Sequence, residues 1–85
     1  MNEFQIEVRI TPREGLLDPE GKAVENALRS LDFTEVMDVR VGRLIRLRVQ
    51  AESVDAARER AESMCRQLLA NPVTEDYEIE LQNIS

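Results

Sequence analysis

Histidine and tryptophan are absent from this chain of 85 residues, cysteine occurs once, and the aromatic side chains are Phe4, Phe33 and Tyr77. Each absence excludes something. Without histidine the commonest general base is missing. Cys65 alone forms no internal disulfide and no cysteine-based zinc site, and no histidine activates it as a nucleophile. It sits on an apolar helical stripe and reads as a core residue rather than a nucleophile. No Walker loop and no GxGxxG sequence offers a nucleotide cradle. No apolar run approaches the roughly 20 residues of a membrane span. Residues 1–10 already alternate polar and apolar, so no signal peptide is expected. A lone cysteine suits a reducing, cytoplasmic location.

The net charge is −6, from 11 basic and 17 acidic residues. Phosphate repels such a surface, so a nucleic-acid partner is not expected. The length fits one domain, 1–85, and a domain this small is marginal alone. Oligomerisation is the available remedy. A chain so poor in catalytic chemistry works by binding, with no catalytic residue of its own.

Hydrophobic periodicity gives the elements. Phe4, Ile6, Val8 and Ile10 alternate with polar residues as in a half-buried strand. A loop with Pro12 and Gly15 follows. Asp18-Pro19 reads as an N-cap with proline at the first helical position. From there Ala23, Val24, Ala27, Leu28 and Leu31 fall on one helical stripe. Met37, Val39 and Val41 alternate again, as do Ile45, Leu47 and Val49, two strands joined around Gly42. Ser53 caps a second helix whose apolar face carries Val54, Ala57, Ala61, Met64, Cys65, Leu68 and Leu69. Asn71-Pro72 ends it. Tyr77, Ile79 and Leu81 make the last strand.

The order is βαββαβ, the ferredoxin-like pattern. It predicts an α+β fold of two layers: a four-stranded antiparallel sheet with two helices on one face. Strands one and three are expected in the centre. Keeping apolar residues on one face pairs Val41 with Ile45 and Val39 with Leu47. Arg40 then lies opposite Arg46, and Asp38 opposite Arg48. Two facing arginines are unfavourable alone. Two readings stand: both splay into water, or they meet carboxylates of a twofold-related copy whose Glu78 and Glu80 lie at the other edge.

Gly21 is the least expected residue. In a first helical turn glycine costs roughly 1 kcal/mol against alanine. Either local packing requires it or a partner approaches the backbone there. On the second reading a glutamine in its place leaves the fold intact. Leu16 and Leu17 sit in the preceding loop, either folded onto the core or exposed as contacts. Asp18 reads as a cap, with a ligand role as the alternative. Asn71 reads as a helix end, with a partner contact as the alternative. Glu75 and Asp76 read equally well as a solvated turn.

Taken in order, Leu17-Asp18-Pro19-Glu20-Gly21, Ala27-Leu28, Val39-Arg40-Val41-Gly42, Leu69-Ala70-Asn71-Pro72-Val73 and Glu75-Asp76-Tyr77 resemble the PurS family, from Val8 to about Leu81. Arg43 departs from the lysine that the family often carries, which keeps charge and changes contact geometry. The resemblance implies the non-catalytic small subunit of the three-part phosphoribosylformylglycinamidine (FGAM) synthase of purine biosynthesis. Its implied partners are an ATP-dependent synthetase subunit (PurL-type) and a glutaminase subunit (PurQ-type), which it bridges while helping ammonia pass between them. It further implies ATP and Mg used on the synthetase subunit and no cofactor on this chain; separately, the small size and the sheet face of Val36, Arg40, Arg46 and opposing glutamates lead us to expect a homodimer or higher oligomer. Expected partner contacts are Leu16, Leu17, Asp18, Gly21, Arg40, Arg43, Arg46 and Asn71.

Other βαββαβ modules fit less well. An acylphosphatase needs a phosphate-binding loop after the first strand, where this chain has Thr11-Pro12-Arg13-Glu14-Gly15, with a proline that removes a donor. An RNA-recognition module needs aromatics on the central strands, where this one exposes Gln5, Glu7, Arg9, Arg46 and Arg48. A small-molecule regulatory domain of the ACT type is the remaining alternative.

Overall fold

The computed structural model describes residues 2–84. β1 (Asn2–Pro12) leads into α1 (Pro19–Ser30), β2 (Arg43–Ala51), α2 (Val54–Met64) with a π turn over Cys65–Leu69, and β3 (Glu75–Asn83). The three strands form one antiparallel sheet in the order β2-β1-β3.

The centre of this sheet is β1, and its alternation is what the sequence requires. Val8 lies between Ile45 and Ile79, and Ile6 between Leu47 and Leu81. Phe4, Ile6, Val8 and Ile10 are fully buried. At about 2 kcal/mol for each fully buried large apolar side chain, this strand anchors the fold. The helix above it is α2, laid down through Ala57, Ala61 and Cys65, all buried. Their i, i+4 spacing makes one ridge, and their small size lets the helix approach the strand closely. Ser53 caps α2 as expected, its Oγ accepting from the amide of Ala56 at 3.1 Å. The last turn widens, with the Ala70 amide donating to the Cys65 carbonyl at 3.0 Å. Val54 and Leu68, expected on the buried face, are exposed.

The sheet has three strands, not four. Residues 36–42, the expected second strand, pair with no strand. The physical reason lies in what holds the segment: the Val41 amide donates to Asp18 and the Val39 carbonyl lies against Gly21, so residues 39–41 are drawn to the start of α1 and do not fold back on the outer edge of β2. Nor does the chain reverse at Gly42. A Cβ there would collide with the Ile10 carbonyl, so the backbone passes close beside β1 on its way into β2. The expected central position of the 45–49 strand is likewise corrected, since β2 is an edge strand. Arg40 does not face Arg46, and Asp38 does not face Arg48; Arg46 lies across from Glu7, and Arg48 across from Gln5.

The two helices do not share the sheet face either. Only α2 packs on it in strength. On α1 the only buried residue is Gly21, and Val24 and Leu31 of its apolar stripe are exposed. The molecule measures 52 × 26 × 14 Å with a radius of gyration of 16.5 Å, against about 12 Å for a compact chain of this length. The helix α1 and the return segment 31–42 therefore form an arm.

The far end of α1 is closed by a backbone cap. α1 ends with Asp32 in the left-handed region (φ +73°). The Asp32 amide donates to Arg29 O and the Phe33 amide to Leu28 O, each at 3.1 Å. This is the Schellman arrangement, which satisfies the last carbonyls of a helix.

Candidate partner-binding surface

Asp18 organises the root of the arm. Its Oδ1 accepts from the Gly21 amide at 3.1 Å, the N-cap bond that the sequence predicts. Its Oδ2 accepts from the Val41 amide, also at 3.1 Å. One carboxylate thus holds the start of α1 and the return segment together. Farther out, Arg29 Nη2 donates to the Val36 carbonyl at 2.7 Å.

Gly21 has a local explanation. A Cβ on it would collide with the Val39 carbonyl and with the Asp18 carboxylate. The close approach inferred from the sequence exists, and it comes from this chain's own backbone. A glutamine at 21 cannot enter without displacing the return segment, which overturns the expectation that it leaves the fold intact.

Leu16 and Leu17 stand beside this junction. Leu17 is 86% exposed and Leu16 is 48% exposed, so neither is folded onto the core. They form the ridge between two open clefts. One, of about 320 Å³, runs past Asp18, Lys22, Asp38 and Arg40. The other, of about 360 Å³, runs past Pro12, Thr74 and Glu75.

Arg40 joins the arm to the end of β1. Its Nη1 donates to the Pro12 carbonyl at 3.0 Å, and its guanidinium lies 3.5 Å from Asp38 and 3.9 Å from Glu14. Arg43 and Asn71 meet through Glu75. Glu75 Oε1 accepts from Arg43 Nη2 and from the Asn71 amide, both at 2.8 Å. Arg43 also donates to the Leu69 carbonyl at 3.0 Å, tying β2 to the end of the π turn. Asn71 Oδ1 accepts from the Val73 amide at 2.9 Å, closing the turn into β3. Glu75 is therefore a structural acceptor, not a member of a merely solvated turn.

Arg46 belongs to a different surface. Its guanidinium lies 2.7 Å from Glu7, which is also 3.6 Å from Arg9; Arg9 in turn pairs with Glu80 at 3.2 Å. The hydrogen bond to Glu80 holds the Arg9 pKa above its ordinary value. Arg48 pairs with Glu3 at 3.2 Å. The open sheet face is thus a row of charges compensated within the chain, and Arg46 needs no outside carboxylate.

Of the expected contact residues, Leu16, Leu17, Asp18, Gly21 and Arg40 cluster at the root of the arm. Arg43 and Asn71 form a second group at the same end of the sheet, and Arg46 stands apart on the sheet face. Sequence reasoning missed Arg13, which bonds the Pro72 carbonyl at 2.6 Å and pairs with Asp76 at 3.3 Å. It also missed that Leu31, Phe33 and Met37 are exposed. Among the described residues, six of the eleven exposed large apolar side chains lie between Leu16 and Met37, so the arm and the loop leading into it carry much of the apolar surface open to a partner.

Comparison with known families decides what this architecture is. The profile described as PurS, phosphoribosylformylglycinamidine (FGAM) synthase, matches residues 5–83. The chain belongs to the PurS family. The PurS subunit of phosphoribosylformylglycinamidine synthase from Methanocaldococcus jannaschii is 37% identical over 81 residues, covering 95% of this chain and 98% of that protein. The crystal structure of M. jannaschii PurS, one of the subunits of formylglycinamide ribonucleotide amidotransferase, superposes with a TM-score of 0.84 at 36% identity, over 96% of this chain and 99% of that one. A chain of the PurLQS structure from Thermotoga maritima superposes with a TM-score of 0.88 at 34% identity, over 96% of this chain and all of that one. PurS is a subunit of FGAM synthase, in the purine biosynthetic pathway. The ACT-type alternative finds no support in these likenesses.

Proposed function

We propose that this chain is the non-catalytic small subunit of FGAM synthase, acting as a homodimer that joins a PurL-type synthetase subunit to a PurQ-type glutaminase subunit. The end-to-end likeness to a chain of the PurLQS structure carries the reading. The exposed arm supports it, because an apolar surface of this kind is what a larger assembly covers. In the complex, glutamine yields ammonia on one partner, and the other uses ATP to aminate formylglycinamide ribonucleotide. This chain supplies the contact that lets ammonia pass from one to the other.

ATP and Mg belong to the synthetase subunit on this reading. Two observations support that assignment: the sequence contains no phosphate-binding loop, and among the described residues no three acidic, histidine or cysteine side chains are grouped as candidate metal ligands. The cytoplasm is the proposed location, a reducing compartment that suits the single cysteine. Among the described residues no helix is long and apolar enough to cross a membrane.

Reconstitution tests the reading. Synthetase and glutaminase subunits from the same source are mixed with and without this chain, and FGAM formation is followed from glutamine or from ammonium. Glutamine-dependent synthesis is expected to need the chain, and ammonium-dependent synthesis is not. Equal glutamine-dependent rates in both mixtures overturn the proposal.

A further inference from the structure

The arm and the sheet share no apolar core. The two clusters of buried side chains draw on the strands, α2 and the end of the π turn, and neither includes a residue between Ile10 and Ile45. The arm is nevertheless closed on itself. At its root Asp18 accepts from the Val41 amide, and the Val39 carbonyl lies against Gly21. Farther out Arg29 donates to the Val36 carbonyl. These ties hold α1 and the return segment together as one body.

Its connections to the sheet are few. The chain crosses between them twice, through residues 13–17 and at Gly42. In the first crossing Gly15 is left-handed (φ +83°), and a Cβ on it would meet no atom. Open clefts of about 320 and 360 Å³ flank this loop, one toward the arm and one toward the start of β3. Neither side of the loop is packed. At the second crossing the backbone of Gly42 passes against the Ile10 carbonyl, which makes it the fixed point. Among the described residues, one hydrogen bond spans from the arm to a strand: Arg40 Nη1 donates to the Pro12 carbonyl at 3.0 Å. The same guanidinium has Asp38 of the arm at 3.5 Å and Glu14 of the loop at 3.9 Å. Turning the arm therefore exchanges one acceptor for another and leaves no bare charge.

We infer that the arm turns as a rigid body on Gly42 and the 13–17 loop, and that Arg40 is the catch that sets its angle to the sheet. A few loop residues absorb such a hinge motion, and no core has to open. The lever is long: α1 has 12 residues, so a turn of about 15° carries its far end through about 5 Å. Leu31, Phe33 and Met37 are exposed on that lever. Arg40 thus decides where this apolar surface stands relative to the sheet.

The test reads the angle as a distance in the full-length chain. Nitroxide labels are placed by Glu35→Cys on the arm and Glu59→Cys on α2, both exposed positions, in a Cys65→Ala background. Labelled chain is diluted into excess unlabelled chain, so that pulsed electron resonance reads pairs within one chain in any oligomer. With Arg40 in place a single narrow distribution is expected. Arg40→Met keeps the length of the side chain and removes its donors, and the distribution is expected to shift or broaden by about 5 Å or more. Slow exchange of the Val41 amide and of the β1 amides is expected to persist there, since arm and sheet each stay intact. Arg40→Lys still offers a donor to the Pro12 carbonyl and is expected to restore most of the narrow distribution. An unchanged distribution in Arg40→Met overturns the catch, as does one that is already broad with Arg40 present. Fast Val41 exchange in Arg40→Met overturns the rigid body. Loss of β1 protection in that variant overturns the hinge, because Arg40 would then hold the fold and not an angle.

Discussion

Asp18 Oδ2 accepts from the Val41 amide at 3.1 Å across 23 positions of sequence, while Oδ1 of the same carboxylate caps α1. Local and long-range structure meet in one side chain. Removing it in Asp18→Ala costs the cap, about 1 kcal/mol, and a second hydrogen bond of about 1 kcal/mol. Asp18→Asn keeps an oxygen for the cap and offers an NH₂ to Val41. Denaturant midpoints are expected in the order Asp, Asn, Ala. Exchange of the Val41 amide is expected to quicken in both variants, and that of Gly21 only in the alanine variant.

Gly21→Ala separates propensity from packing. By helix propensity alone alanine stabilises a helix interior by about 1 kcal/mol over glycine. At this position the new methyl meets the Val39 carbonyl and the Asp18 carboxylate. The backbone carbonyl cannot swing aside without loosening the return segment. A net destabilisation of about 1–3 kcal/mol is expected, measured by urea unfolding. A gain in stability would mean that the arm yields at no cost.

The residues that were legible in the sequence are those whose partners lie within the chain. Phe4 to Ile10 announced β1 because both neighbours and the covering helix belong to the same molecule. Ser53 and Asp18 announced their caps because the capped amides lie three residues away. The stripe on α1 and the alternation at Met37, Val39 and Val41 are present as patterns, but the sheet covers neither, and residues 36–42 form no strand. Periodicity says that a face is to be covered and is silent on which chain covers it. Gly21 was legible as an anomaly for a related reason: a glycine marks a close approach without naming the atom that approaches. Arg46 shows the opposite limit. Its in-chain partner Glu7 follows from the β1–β2 register, which a four-stranded layout conceals.

Cys65 gives a prediction about pH. The thiol is buried, and burial pushes its pKa above the ordinary value of 9.0. The folded protein therefore favours the protonated form. Its contribution to stability is complete below the unfolded value and is lost as pH rises through the folded one. Stability is expected to fall on the alkaline side above about pH 9, and less so in Cys65→Ala, compared by thermal melts across pH. A thiol reagent such as DTNB at pH 8 is expected to label the unfolded chain rapidly and the folded chain slowly. Equal labelling rates would show that the π turn opens readily.

Arg43 and Glu75 allow a sharper test, because one carboxylate serves two donors. Glu75 Oε1 binds both Arg43 Nη2 and the Asn71 amide, and Arg43 is itself half exposed. An exposed ion pair is worth little, and Arg43→Lys keeps its charge while losing the guanidinium geometry that also reaches the Leu69 carbonyl. A loss within about 0.5 kcal/mol is expected. Glu75→Ala removes the acceptor of a backbone amide as well, and about 1–2 kcal/mol is expected. The single variants Arg43→Ala and Glu75→Ala and the double variant R43A/E75A close a thermodynamic cycle. Its coupling energy is expected near 0.5 kcal/mol and to shrink in high salt. The excess cost of Glu75→Ala is expected to persist in salt, because it belongs to the Asn71 turn. If that excess vanishes in salt with the coupling, Glu75 acts through Arg43 alone, and the turn into β3 is held by Asn71 Oδ1 without it.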